Sequence, residues 1–144
     1  MDLDGVIGIG RRSQFLAIVS TTRADGTIQS TLVNAGVLAH PVSGDPVVGL
    51  VSAVGVRLAN LRVRPVATVA FRADWSSATV EGTTELIGPD DPYPGIDAER
   101  LRLLLREIFT AAGGTHDDFE EYDRVMAAER RCAVLLTPTR VYGR

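Results

Sequence analysis

Between Gly55 and Pro65 the sequence reads GVRLANLRVRP, which sets Arg57, Arg62 and Arg64 in one short segment with no acidic residue from 54 to 64. The 15 basic residues of the chain are all arginine. Guanidinium groups present a fork of donors that matches the oxygens of a phosphate or carboxylate, so such a grouping points to an anion. A helix over 56–63, stopped before Pro65, puts Arg57, Asn60 and Arg64 at i, i+3 and i+7 on one face, with Leu58 and Leu61 opposite. On this reading the leucines anchor the helix and the Arg/Asn face looks outward or into a groove. Gly55 lets a ligand approach the first helical amides, which are free donors. The competing reading is a surface helix whose arginines pair with Glu81, Glu85 or the helix acids of a partner subunit.

Other chemistry is sparse. No catalytic triad or carboxylate pair is visible. His40 stands before Pro41 at a strand end, an extended position from which an imidazole reaches a pocket or simply meets solvent. His116, next to Asp117 and Asp118, reads as the start of a helix. Cys132 is the single cysteine, so no internal disulfide and no zinc pattern follows from it, and a cytoplasmic location is expected. GVIGIGRR (5–12) has the glycines of a phosphate loop without its strand, lysine or serine, and is read as a mobile or weakly helical lead.

The elements that must position these residues follow from pattern. The 144 residues fit a single domain, 1–144, with 45% hydrophobic residues to fill a core. A formal net charge of −3 argues against nucleic-acid binding, and no run is long enough for a membrane span. FLAIVSTT and TIQSTLVNAGVLA flank Asp25-Gly26, a hairpin signal, and Gly36 marks a bulge or a close backbone approach. PVSGDP is a loop, VVGLVSA a buried strand, PVATVAFRA a strand opened by proline, and SSATVEGTTELIG a long strand kinked at Gly82. PDDPYPG then leads to a helix with Asp97 as N-cap and Gly113-Gly114 as its stop. A more polar helix covers 115–131, and CAVLLTPTRVYG closes the chain as a strand interrupted at Pro138. The order β-β-β-α-β-β-α-α-β, without strand–helix alternation, predicts a mostly β protein with short helices, a small barrel.

Together, TTRADGTIQSTLVNAGVL, GVRLANLRVRPVATVAF, ATVEGTTELI and LLTPTRVYG resemble the flavin and deazaflavin oxidoreductase superfamily, related to pyridoxamine 5′-phosphate oxidase. The match runs over nearly the whole chain and in order, with Arg57-Leu58-Ala59-Asn60-Leu61 and Pro65 in place of the phosphate-binding element. The resemblance implies a split β-barrel homodimer, with cofactor sites at the interface. It implies a cofactor phosphate at Arg57 and its neighbours, with Ser30, Thr31, Asn34 and Ser52 near the ring or ribityl chain. Trp75 would stack on a ring, or fill the core or interface. The Arg/Ala/Val-rich composition is similar to the actinobacterial branch, whose usual cofactor is F420. Its phosphodiester and glutamate tail would suit Arg57, Arg62, Arg64 and Arg72, with FMN the competitor. Hydride transfer to a conjugated small-molecule acceptor is then the expected reaction. The alternative on the same fold is a haem- or tetrapyrrole-binding protein with His40 as iron ligand.

Overall fold

The computed structural model describes residues 1–144. Helix α1 (Leu3–Arg12) leads into β1 (Leu16–Thr22), β2 (Ile28–Asn34), β3 (Gly36–Ala39) and β4 (Pro46–Ser52). Helix α2 (Val56–Val63) follows, then β5 (Val66–Ala73), β6 (Ser76–Ile87), α3 (Ala98–Ala111), α4 (Phe119–Ala128) and β7 (Cys132–Gly143). All strand pairings are antiparallel within one seven-stranded sheet of order β2-β1-β5-β6-β7-β4-β3.

The hairpin expected at Asp25-Gly26 joins β1 to β2, with the Asp25 carboxylate accepting from the Thr27 amide at 3.0 Å. Gly36 is a point of close approach: a Cβ there would lie 2.4 Å from the Ala111 carbonyl carbon, so the end of α3 rests on the backbone of β3. The kink expected at Gly82 is a register shift between Glu81 and Gly82, opposite Pro138 and Arg140, so both predicted interruptions are one bulge.

Two apolar cores result. Inside the curled sheet, Val19, Val69, Phe71, Val80, Val134 and Leu136 meet Leu58 and Leu61 of α2. On the other side of β4 and β7, Val47, Ala133 and Leu135 meet Leu104, Leu105 and Ile108 of α3. The middle of β4 and the first half of β7 are therefore buried on both faces and read as unbroken apolar runs.

The N-terminal segment departs from expectation. Residues 5–12 belong to a regular helix, capped by the Asp2 side chain on the Gly5 amide at 3.0 Å. Val6 and Ile9 lie one turn apart and are buried in the first core, so packing outweighs the helix-weakening effect of Gly5, Gly8 and Gly10. The second apolar run also divides, at buried Ala35, into β2 and β3 on opposite edges of the sheet. Helix α4 starts at its N-cap Asp118, later than the polar pattern from 115 suggests. No helix is long and apolar enough to cross a membrane.

Candidate functional site

The curled sheet is not closed by a ladder between β2 and β4. Arg57, in the first turn of α2, spans that gap. Its Nη2 donates to Thr31 Oγ1 of β2 at 2.6 Å, and its Nη1 donates to Ser52 Oγ of β4 at 2.9 Å. Ser52 in turn donates to the Ala53 carbonyl at 2.9 Å. Arg57 Nε is buried without a partner. Burial first, and the Arg131 charge second, push the Arg57 guanidinium below its ordinary value. A half-buried cation with a spare donor and a second cation nearby is electrostatically unsatisfied, and an anion corrects that.

Arg57 lines a groove of about 620 Å³. Leu32, Val33 and Asn34 of β2 form one wall, Val51 and Ala53 at the end of β4 the other, and Phe109, Met126 and Arg131 reach it from the helical side. Asn34 Nδ2 donates to the Gln14 carbonyl at 3.0 Å, which fixes the rim where Gln14 and Phe15 adopt positive φ (59° and 56°). An apolar trough with a few convergent polar groups and a cation has the composition of a small-molecule site.

The arginine segment therefore divides. Thr31, Ser52 and Arg57 come together, and Asn34 lies along the same groove. Arg62 points elsewhere and grips Asp91 with two bonds, Nε to Oδ1 at 2.9 Å and Nη2 to Oδ2 at 2.8 Å. Arg64 donates through Nε to the Thr22 carbonyl at 2.7 Å, which ties α2 to the end of β1. Asn60 does not share an outward face with Arg57: it is buried and donates to Thr21 Oγ1 at 3.1 Å. Its amide sits among the leucine contacts because α2 is sunk into the barrel mouth, which burial of Leu58 and Leu61 enforces.

Ser30 alternates away from Thr31 and bonds Ser20 on the outer face of the sheet at 2.8 Å. Gly55 is the exposed N-cap of α2 and has no side-chain cap above the first amides. Arg72 is exposed and donates to the Asp74 carbonyl at 2.9 Å. Trp75 fills no core: it is 94% exposed in the turn between β5 and β6. The residue that sequence pattern missed is Arg131, 74 positions from Arg57 by number (131 − 57) and brought near it by the fold alone.

His40 is equally informative. It is buried, and its Nδ1 accepts from the amides of Val42 and Ser43 at 3.1 and 3.3 Å. The proton is therefore on Nε2, which donates to Glu85 Oε1 at 3.0 Å. Nδ1 closes the β3–β4 turn and Nε2 ties that turn to β6, so both nitrogens are engaged and His40 does not fit the expectation of an iron ligand. His116 accepts the Asp118 amide at 2.9 Å beside Phe109 and Phe119, a helix-entry role.

An antiparallel sheet curled on itself, open between β2 and β4 and stopped by a short helix, decides the architecture. It is a split β-barrel. No protein-family model matches the sequence. The split barrel is similar to a pyridoxamine 5′-phosphate oxidase-related, FMN-binding protein from Nostoc punctiforme, with a TM-score of 0.64 at 11% identity over 97% of this chain and 82% of that one. It is similar to an F420 reductase, with a TM-score of 0.59 at 14% identity over 91% of each chain. A haem-binding protein from Mycobacterium smegmatis gives a TM-score of 0.60 at 14% identity over 94% of this chain and 53% of that one. At such identities the shared property is the split-barrel fold.

Proposed function

We propose that this split barrel binds a flavin-type cofactor in the groove beside Arg57 and works as an oxidoreductase that passes hydride between the cofactor and a conjugated small molecule. The observation that carries the reading is the Arg57 guanidinium, fixed by Thr31 and Ser52 and left with an unpartnered, buried Nε at an apolar groove. Bound there, a deazaflavin or flavin supplies the hydride chemistry. Arg57 would hold its phosphate group, and the Thr31 and Ser52 hydroxyls keep the guanidinium oriented for it. Asn34 and Val51 would flank the ligand, and the apolar wall keeps water away. F420 is placed ahead of FMN because two guanidiniums, Arg57 and Arg131, line the groove and suit a cofactor tail with more than one acid group. The likeness to an F420 reductase over nine-tenths of each chain supports the same order.

Arg62 and Arg64, which the sequence placed at the anion, are occupied with Asp91 and Thr22 and are left out of the site. The reading includes a homodimer, formed through the exposed outer face of β1 and β2. A lone, buried thiol at Cys132 agrees with a reducing, cytoplasmic compartment.

The test is titration of the purified protein with F420 and with FMN, followed by absorbance. Saturable F420 binding is expected, and Arg57→Ala should weaken it by on the order of 1.5–3 kcal/mol, as for a hydrogen bond to a charged group. Affinity for both ligands that Arg57→Ala leaves unchanged would remove the groove from the reading. A Soret band on titration with haemin, without F420 or FMN binding, would replace it.

A further inference from the structure

A second cavity, about 400 Å³, lies under the connector between β6 and α3 and is flanked by α3 and α4. Its walls are apolar, with Ile87, Tyr93, Ile96, Leu101 and Leu105 prominent. Tyr122, Met126 and Arg131 line both this chamber and the Arg57 groove, so the two spaces meet at those side chains.

The polar groups of the chamber are almost all spoken for. Asp91 is held by Arg62, Asp123 by Arg102 and Arg106, and Asp97 caps α3 by accepting from the Arg100 amide at 2.8 Å. The Tyr122 hydroxyl donates to the Leu105 carbonyl at 3.0 Å. Arg131 is the exception. Its one side-chain partner is Glu129, reached by Nη2 at 3.2 Å, and its Nε is buried without any partner. Arg130, at φ 52°, follows the end of α4 and turns the chain into β7, which sets the next residue against the two cavities.

We infer that the chamber is the site of an organic anion with an apolar body, the body lying among Leu101, Leu105 and Ile96 and its acid group held by Arg131. One acid group then meets each of the two guanidiniums whose Nε lacks a partner, the cofactor's at Arg57 and this ligand's at Arg131. The size suits a compact aromatic or short aliphatic monoacid, since sites for small ligands begin at about 300 Å³. The inference rests on Arg131 and the chamber walls, and it stands independently of which cofactor occupies the groove. Joined to the proposed function, it makes the acceptor an apolar carboxylic acid with a conjugated double bond to receive the hydride.

The chain has 2 methionines, and Met126 alone lines the cavities, so methyl-labelled methionine gives one reporter at the site and one, Met1, at the N-terminus. The probe is 2-naphthoate, with 2-naphthol as its counterpart lacking the carboxylate. Titration of the full chain should shift the Met126 methyl signal saturably and leave Met1 in place. Arg131→Gln should weaken naphthoate by on the order of tenfold and barely move naphthol, as expected for loss of a charge-assisted contact. Ala127→Trp, at an exposed position on the chamber wall, should remove binding of both probes while F420 affinity is kept. In the converse variant, Arg57→Ala should lower F420 affinity and leave the naphthoate shift in place, which separates failure of one reading from failure of the other. An unmoved Met126 signal at millimolar probe, equal affinity for naphthol and naphthoate, or binding that Ala127→Trp leaves intact would each overturn the inference.

Discussion

At Cys132, burial pushes the thiol up to about 12 from a usual 9.0, and the Asp91 charge adds to it. Burial likewise pushes the Tyr122 phenol up to about 12. In both cases the folded chain holds a proton that the unfolded chain releases near its ordinary value. The stabilisation is complete below pH 9 and is lost as pH rises towards about 12. Denaturant midpoints should therefore be level up to pH 9 and fall above it, and Cys132→Ala should make that fall shallower. The same burial makes the thiol inert, so native protein should resist alkylation at neutral pH and react only once unfolded. His40 shows the structural side of a polar residue. In His40→Ala the Val42 and Ser43 amides and Glu85 lose their partner, and a loss of about 1–3 kcal/mol is expected in urea titration.

Elements were legible in the sequence where a local rule sufficed. Asp25-Gly26 specified a hairpin, Pro65 the end of α2, and Asp97 the start of α3, because turn and cap chemistry acts over a few residues. The bulge of β6 was equally legible at Gly82. A Cβ there would lie 2.0 Å from the Thr137 carbonyl oxygen of β7, a backbone atom that cannot swing aside. Gly82→Ala should cost at least about 3 kcal/mol, measurable as a large drop in thermal midpoint. Helix α1 was not legible in the same way. Its three glycines hide the burial of Val6 and Ile9, and only the barrel provides the surface on which they pack.

Across the whole molecule, the outer face of β1 and β2 stands out. Leu16 and Ile18 pair with Asn34 and Leu32 in the register, and Ile18 and Leu32 are 43% and 65% exposed. In the proposed homodimer a second copy covers this face. Sedimentation should then give twice the 15.4 kDa chain mass, and Ile18→Lys with Leu32→Lys should give a monomer with unchanged circular dichroism. A wild-type monomer would remove the dimer from the reading. By itself the sequence determined the mostly β character, the hairpin, the caps and the arginine segment, since each depends on neighbours in the chain. Only the tertiary structure decided which arginine faces the groove. Arg62 and Arg64 found Asp91 and the Thr22 carbonyl, while Arg57 spans β2 and β4 and Arg131 arrives beside it from the far end of α4. The partners of Arg62 and Arg64 are distant in sequence, and a guanidinium becomes a candidate site where folding leaves one of its buried donors without a partner.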